Sequence, residues 1–243
     1  MRTAGRRFVP HKLSRTEVVN RVGASWLGIT KQRQVVRLMS VGDEPVRINA
    51  THPAPDDVIE LPGRGAYMDV QSFADFYAEA DGPITLMSVL VSQAAAHVPS
   101  GFPGGHPTIV IVPQIEQYRS DYVFLTPDKY IFDFVLMGAP PQAQVRLDGM
   151  DAVDLGCGRV PADGLSDTAR GSSVPPAWVY QCQISFPVVL QDGSSRVVLP
   201  GSQSDGVHRI EASLPVHAIV YGFDNYVSYG CAAGTQLSET NIK

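Results

Sequence analysis

Charged residues are scarce in this sequence, and the basic ones never form a run. Asp, Glu, Lys and Arg make up 18% of the 243 residues, and the formal net charge is −5. The longest basic run is the pair Arg6-Arg7. Binding to nucleic acid or to an anionic membrane surface depends on clustered Lys and Arg, so we expect neither kind of partner.

Long apolar runs are also missing. The most apolar stretch, Ile84–Val91, is interrupted by Ser88 and is far shorter than the roughly 20 residues that a membrane-spanning helix needs. We therefore expect no transmembrane segment and interpret this stretch as a buried strand. No apolar segment follows the charged start Met1-Arg2-Thr3, as a signal peptide requires. Either the protein is cytoplasmic, or its export signal lies upstream in a longer chain.

Cysteines are few. The sequence has three of them, Cys157, Cys182 and Cys231, with no CxxC pair and no Cys/His metal-binding spacing. Cys157 and Cys182 flank a loop-like stretch, and a disulfide between them would stabilise the fold by roughly 3 kcal/mol in the chain-entropy account. The alternative is three reduced, mostly buried thiols. The odd number of cysteines leaves both alternatives open.

Catalytic and cofactor-binding motifs are missing as well. The sequence has no GxSxG, Walker, HExxH or GxGxxG pattern. The carboxylate pairs Asp43-Glu44 and Asp56-Asp57 lie in loops beside prolines, where neighbouring side chains point to solvent and do not face each other across a substrate. His97 and His106 flank a Gly/Pro-rich loop, which favours solvent exposure over a metal site. We predict a protein that is not an enzyme and has no cofactor or metal.

Short β-branched and aromatic runs, divided by turn residues, dominate the sequence. Only Val70–Ala80 carries a helix-like pattern, in which three aromatic residues are spaced i, i+3, i+4, and either a short helix or a bulged strand would fit. The other runs recur about every ten residues, which is typical of β-sandwiches and barrels. The predicted strands are Gln34–Ser40, Pro45–Asn49, Val58–Leu61, Ala66–Val70, Ile84–Val91, Thr108–Val112, Asp121–Leu125, Ile131–Met137, Gln144–Leu147, Val179–Phe186, Arg196–Leu199, Val207–Ala212, His217–Phe223 and Val227–Tyr229.

Two turns and one long loop are indicated between these strands. Asp148-Gly149 and Asp192-Gly193 are typical of two-residue hairpin turns, because glycine adopts the positive φ angle that such turns require. Gly156–Pro176 is rich in Gly, Ser, Asp and Pro. Since it shows no hydrophobic period, we interpret it as a long flexible insertion.

Two patterns predict burial within the strands. Ile131–Met137 lacks the alternation of a half-exposed strand, so we expect it to be buried on both faces. His208 and His217 fall in neighbouring predicted strands, where they would form a structural cross-strand pair.

The two halves of the sequence carry similar segments in the same order. The matched pairs are Arg7–Val9 with Asp121–Val123, Gln34–Met39 with Phe132–Met137, Val46–Asn49 with Val145–Asp148, Ile59–Leu61 with Val197–Leu199, Gly65–Val70 with Gly206–Ile210, and Pro83–Met87 with Pro215–Ile219. The alternative is chance similarity between β segments. We predict an all-β fold of two tandem, jelly-roll-like β-sandwich units over residues 1–115 and 116–243, either separate or joined in one two-lobed domain.

Four segments match the pattern of a known family. They are His106–Pro127, Leu147–Gly149, Gly206–His208, and Val220–Gly230 with Ala233-Gly234 after it. On these residues the chain resembles the IgGFc-binding domain family. That family is named for the N-terminal domain of a mucin-associated protein that binds IgG Fc, and it occurs in many bacterial surface and secreted proteins. The resemblance extends from about Phe8 to Gly234.

The resemblance implies a recognition role at the cell surface or outside the cell, and it favours a longer parent chain with its own export signal. It does not imply that this chain binds antibody. Two loops depart from the family pattern. Gly105-His106-Pro107 stands where members usually have Gly-Asp-Pro, and Cys231-Ala232 stands where an aromatic-Pro pair is usual. We interpret both loops as adapted to a different ligand.

Aromatic residues cluster within residues 118–134 and 221–229, and most are expected to fill the core. The exception is Asp224-Asn225-Tyr226, which reads as a turn that exposes its tip, and tyrosine beside Asp and Asn suits a protein or glycan ligand. We predict a non-enzymatic binding or adhesion module. A structural spacer of a large surface protein and a carbohydrate-active hydrolase are the alternatives. The predicted ligand-binding residues are Asp224, Asn225, Tyr226 and His106.

Overall fold

The computed structural model describes residues 5–11, 13, 34–128, 130–164, 174–192 and 195–235. Within these residues the chain forms seventeen β-strands, one 3₁₀ turn at Ile115–Gln117 and no α-helix. The all-β class predicted from the sequence is therefore confirmed.

The first sheet has seven antiparallel strands built around β6. Its strands are β1 (Gly5–Phe8), β2 (Gln34–Ser40), β3 (Val46–Ala50), β4 (Val58–Leu61), β5 (Tyr67–Ser72), β6 (Ala78–Leu90) and β7 (Thr108–Ile111). Their order is β4-β3-β6-β2-β5, and β1 and β7 also pair with β6. Buried and half-buried residues alternate along the whole of β2, as expected for a strand with one face against a core.

The second sheet has eight antiparallel strands built around β16. Its strands are β8 (Arg119–Thr126), β9 (Phe132–Ala139), β10 (Val145–Leu147), β11 (Met150–Asp151), β12 (Gly158–Pro161), β13 (Trp178–Gln183), β16 (Gly206–Asp224) and β17 (Val227–Ala232). Their order is β11-β10-β16-β9-β13-β12, and β8 and β17 also pair with β16. A two-stranded ribbon of β14 (Phe186–Asp192) and β15 (Ser195–Ser202) stands apart from both sheets.

The two sheets share one pairing pattern. The strands β1, β2, β3 and β7 pair around β6 as β8, β9, β10 and β17 pair around β16. Two of the matched sequence segments do not follow this correspondence. Val197–Leu199 lies in the ribbon and not in a strand equivalent to β4, and Gly206–Ile210 begins β16 and does not form an equivalent of β5. The boundary at residue 115 falls between β7 and β8, and the division into two units stays a prediction.

The larger of the two hydrophobic cores found among the described residues is built from both sheets. Phe134, Tyr221 and Phe223 of the second sheet belong to the same buried cluster as Leu38 and Leu86 of the first. The opposite face of the second sheet contributes to a smaller cluster. Because β9 lies between the two clusters, all eight of its residues are buried, which confirms the prediction of burial on both faces.

The helix-like segment Val70–Ala80 contains no helix. It is divided between the end of β5 and the start of β6, with residues 73–77 between them. The three aromatic residues do not share a face, since Phe73 is exposed and Phe76 is fully buried. Their spacing was therefore a misleading signal.

The two strands predicted at Val207–Ala212 and His217–Phe223 are one long strand, β16, with a register shift between Glu211 and Val216. The predicted cross-strand pair of His208 and His217 is therefore wrong. His208 lies opposite Phe124 and His217 lies opposite Gly138.

The long insertion predicted at Gly156–Pro176 is partly a strand. Its first residues include β12, which pairs with β13, and residues 165–173 lie outside the described residues. The second predicted hairpin turn, Asp192-Gly193, lies only partly within the described residues. Asp192 pairs with Ser195, whereas Gly193 is not among the described residues.

Candidate functional site

The three predicted residues Asp224, Asn225 and Tyr226 form the tip of the β16–β17 hairpin. Asp224 pairs with Val227, so Asn225 and Tyr226 are the two residues of the loop. Tyr226 has a φ angle of 54°, in the left-handed region, and the residue is 45% exposed. The backbone N–H of Asn225 donates to Oδ1 of Asp224 at 2.6 Å, and burial raises the pKa of that carboxyl above its ordinary value. The turn is thus fixed by its own side chain.

His106, the fourth predicted residue, lies beside this tip although it belongs to the first half of the chain. The ring centroids of His106 and Tyr226 are 5.9 Å apart. The neighbouring N–H of Gly105 donates to the carbonyl of Asp224 at 2.8 Å, and the hydroxyl of Ser228 donates to the carbonyl of His106 at 2.6 Å. The structure therefore brings all four predicted residues together.

Two further residues, which the sequence did not single out, hold the tip in place. The Tyr226 hydroxyl bonds Oγ of Ser100 at 3.1 Å, and the Tyr226 N–H donates to Oε1 of Gln93 at 3.4 Å. Gln93 is buried, and its own N–H donates to the carbonyl of Gly105 at 3.0 Å. The exposed surface of Ser100, His106, Asn225 and Tyr226 is named the tip surface below. The Gly- and Pro-rich composition of residues 98–105, which is typical of an exposed loop, was the available signal for Ser100.

A second exposed surface lies on the outer face of the first sheet. Tyr67, Ile109 and Ile111 are 55%, 61% and 47% exposed. The Arg37 guanidinium lies 4.2 Å from the centroid of the Tyr67 ring, and its Nε pairs with Asp69 at 2.7 Å. An exposed apolar face with one Arg–Tyr stack is a rival location for a protein interface.

At the opposite end of β16 from the tip surface, a pocket of about 200 Å³ opens beside a disulfide. The disulfide joins Cys157 and Cys182, while Cys231 is a free, exposed thiol. The pocket was not foreseen from the sequence, because its lining comes from four separate segments. The lining residues are Leu147, Asp148, Met150, Leu155, Gly156, Cys157, Cys182, Gln183, Ile184, Phe186, Ser204 and His208.

The turn predicted at Asp148-Gly149 supplies the polar side of this pocket. Both residues have positive φ angles, 52° and 82°, and Leu147 pairs with Met150 across them, as in a two-residue hairpin. Asp148 Oδ1 accepts the backbone N–H of Arg209 at 2.8 Å, and Oδ2 lies 2.7 Å from Nδ1 of His208.

His208 uses both of its ring nitrogens. Nδ1 faces the carboxylate of Asp148, and Nε2 lies 2.7 Å from the backbone carbonyl of Ser204. Both ring nitrogens of His208 therefore have hydrogen-bond partners within the protein. The hydroxyl of Thr126 donates to the same carbonyl at 3.1 Å. A lone pair of that hydroxyl oxygen therefore faces Nε2 of His208. Neither nitrogen is therefore free to take a proton from a substrate.

Asp133 is a second buried titratable group that a substrate cannot reach. Asp133 is fully buried and accepts the hydroxyls of Ser185 and Tyr229, the latter at 2.7 Å. Burial raises the pKa of this carboxyl, although the two hydroxyl donors act in the other direction. With no exposed atom for a substrate to reach, the group serves the packing of the second sheet.

His11 and His217 form a buried pair where the N-terminal segment crosses the second sheet. Their Nε2 atoms face each other, and the Tyr118 ring packs against His217 at a centroid distance of 4.7 Å. Among the described residues, no polar atom pairs with Nδ1 of either histidine or with the Tyr118 hydroxyl. Burial lowers the pKa of His11 to about 3 and lowers the pKa of His217 well below its ordinary value. Both rings are therefore neutral at pH 7.

Residues 5–222 match the family model described as IgGFc binding protein, which places the chain among binding domains. Because the match covers most of the chain, this protein belongs to the IgGFc-binding family. No curated protein and no solved structure matches the chain.

No helix among the described residues is long and apolar enough to cross a membrane. The described residues contain no cluster of three or more metal-ligating side chains, so neither His97 nor His106 belongs to one.

Proposed function

We propose that this chain is a non-enzymatic, extracellular recognition module that binds a protein ligand through the tip surface. The main support is the arrangement of the predicted residues. His106, Asn225 and Tyr226 come from two distant segments and lie on the tip surface beside Asp224. Hydrogen bonds to Gln93, Ser100 and the backbone N–H of Gly105 hold the hairpin tip there. A surface that is rigid before binding loses little conformational entropy when a ligand binds.

The chemistry of the tip surface suits a protein better than a sugar. Tyr226 offers a large, half-exposed ring, and Ser100 and Asn225 offer adaptable polar groups beside it. Tyrosine with serine, glycine and asparagine is the composition that antibody loops use to recognise proteins. The carboxylate of Asp224, which would be the main acceptor for sugar hydroxyls, is instead half-buried and occupied by the Asn225 N–H.

Membership in the IgGFc-binding family supports a binding role outside the cell. The geometry of the titratable groups supports a module without catalysis. Both ring nitrogens of His208 have partners within the protein, and Asp133 is fully buried, so neither of these buried groups is free to activate a substrate. The carbohydrate-active hydrolase is therefore the weaker alternative.

The experiment is binding of the purified chain to an array of immunoglobulin Fc fragments, mucins and free glycans by surface plasmon resonance. The proposal predicts saturable binding to a protein component that survives enzymatic deglycosylation of that component. Binding that is lost on deglycosylation, or that is confined to free glycans, would replace the protein ligand with a sugar. No binding to any component, together with no capture of a partner from native cell surfaces by cross-linking, would favour a structural spacer.

A further inference from the structure

The pocket beside the disulfide is unrelated to the tip surface. His208 lies near the start of β16 and Asp224 is its last residue, so the two sites lie at opposite ends of a strand of 19 residues. Its volume of about 200 Å³ exceeds the roughly 150 Å³ of an apolar cavity that binds benzene. The space is therefore enough for one ring of benzene to indole size.

The walls of the pocket are apolar and partly open to solvent. Met150, Leu155 and Phe186 form its rim and are 53%, 41% and 52% exposed. Leu147 and Ile184 are buried beneath them. The sulfur atoms of the disulfide and of Met150 add polarisable surface, which contacts aromatic rings favourably.

The polar groups of the pocket are already paired within the protein. Both ring nitrogens of His208 have partners, and the two carboxylate oxygens of Asp148 are paired with the Arg209 N–H and with the His208 ring. A charged ligand would lose its hydration without gaining an unpaired polar partner. The pocket is therefore matched to an uncharged apolar ring.

We propose that this pocket is a binding site for a single uncharged aromatic ring. The ring enters between Leu155 and Phe186 and packs on the disulfide. Its source is either a free aromatic molecule or an aromatic side chain of a partner protein, and both present the same chemistry. The site is independent of the proposed function, because none of its lining residues belongs to the tip surface.

The test is ¹⁹F NMR titration of the full chain with 5-fluoroindole, followed by competition with a capped Gly-Trp-Gly peptide. The proposal predicts saturable binding of fluoroindole and much weaker binding of fluorobenzoate and fluorobenzylamine. Displacement by the peptide would identify a side-chain site, and lack of displacement would identify a site for a free ring. Absence of saturable binding by both fluoroindole and the peptide, or equal binding of the charged probes, would overturn the proposal.

Two matched pairs of variants locate the site. Leu155→Asp places a charge at the rim, whereas Val153→Asp places one on the same short segment outside the lining, where Val153 is 50% exposed. Phe186→Ser removes a rim residue, and its control Val188→Ser alters an exposed residue of the same strand. We expect at least tenfold weaker fluoroindole binding in the first member of each pair and unchanged binding in the second. Equal binding within both pairs would contradict this location.

Discussion

Three buried histidines of this protein differ in the partners of their ring nitrogens. Both nitrogens of His208 have partners, the carboxylate of Asp148 and the carbonyl of Ser204. The Nε2 atoms of His11 and His217 face each other, and among the described residues no polar atom pairs with Nδ1 of either ring. Burial lowers the pKa of both, and the neighbouring His11 lowers that of His217 further, so this pair is neutral at pH 7.

The buried pair predicts acid sensitivity. The unfolded chain protonates both histidines below pH 6.5, whereas the folded chain resists protonation of His11 until about pH 3. The free energy of unfolding should therefore be constant with respect to this pair above pH 6.5 and should fall as the pH is lowered from 6.5 toward 3. The expected slope is up to about 1.4 kcal/mol per pH unit for each histidine. Urea denaturation at a series of pH values measures it.

The double variant His11→Asn/His217→Asn is the reference for this measurement. It lacks the pair but keeps Asp133, whose raised pKa acts in the opposite direction above its ordinary value of 3.8. The free energy of unfolding of the parent chain should therefore fall relative to that of the variant as the pH is lowered below 6.5. Parallel stability curves over that range would show that the pair does not titrate as its burial requires.

At the scale of elements, the disulfide fixes the segment after β11 to β13. It closes a separation of 25 residues, which include β12, and its two cysteines line the pocket. We expect Cys157→Ser/Cys182→Ser to lower the free energy of unfolding by about 3 kcal/mol through the larger entropy of the unfolded chain. Guanidinium denaturation of the variant and of the parent measures this difference. A variant as stable as the parent would mean that the unfolded state is already compact in this region.

The sequence predicted those elements whose signals are local. The apolar run without alternation identified β9 as buried on both faces, and Asp148-Gly149 identified a hairpin turn by its glycine. The ribbon of β14 and β15 was only partly foreseen, because its strands pair with each other and with neither sheet. The continuity of β16 was missed because the register shift before Val216 interrupts its pattern, so that one strand reads as two.

At the candidate site, too, the sequence predicted the residues with local signals and missed those placed by packing. Tyr226 was predicted from the turn that carries it, but no local signal places Gln93 beneath that turn or His11 beside His217. Those contacts join segments that are far apart in sequence, and only the packing of the two sheets determines them. Sequence patterns thus give the residues of an exposed tip more readily than the residues that support it.

At the scale of the whole molecule, the two halves of the chain depend on one core. Phe134, Tyr221 and Phe223 of the second sheet complete the buried cluster that contains Leu38 and Leu86 of the first. Either sheet alone would expose a broad apolar face, which costs roughly 25 cal/mol for each Å² uncovered. The shared pairing pattern of the sheets therefore does not make them independent.

Expression of residues 1–115 and 116–243 as separate chains tests this dependence. We expect that neither half shows a cooperative thermal transition by circular dichroism, whereas the intact chain unfolds in a single transition. Mixing the halves should restore part of the native signal if the core reassembles. Cooperative unfolding of one half alone would show that it is a domain in its own right.

We propose that the tip surface, and not the outer face of the first sheet, recognises a protein. The most direct test compares Tyr226→Ala with Tyr67→Ala, since both residues are exposed tyrosines and only the first lies at the tip. The measurement is the dissociation constant of each variant for the Fc fragment or mucin that the parent chain binds on the array. We predict that Tyr226→Ala binds at least about 30-fold more weakly, as for an interface hot spot, and that Tyr67→Ala binds as the parent does. Loss of binding in Tyr67→Ala with full binding by Tyr226→Ala would contradict this proposal and place the ligand on the sheet face.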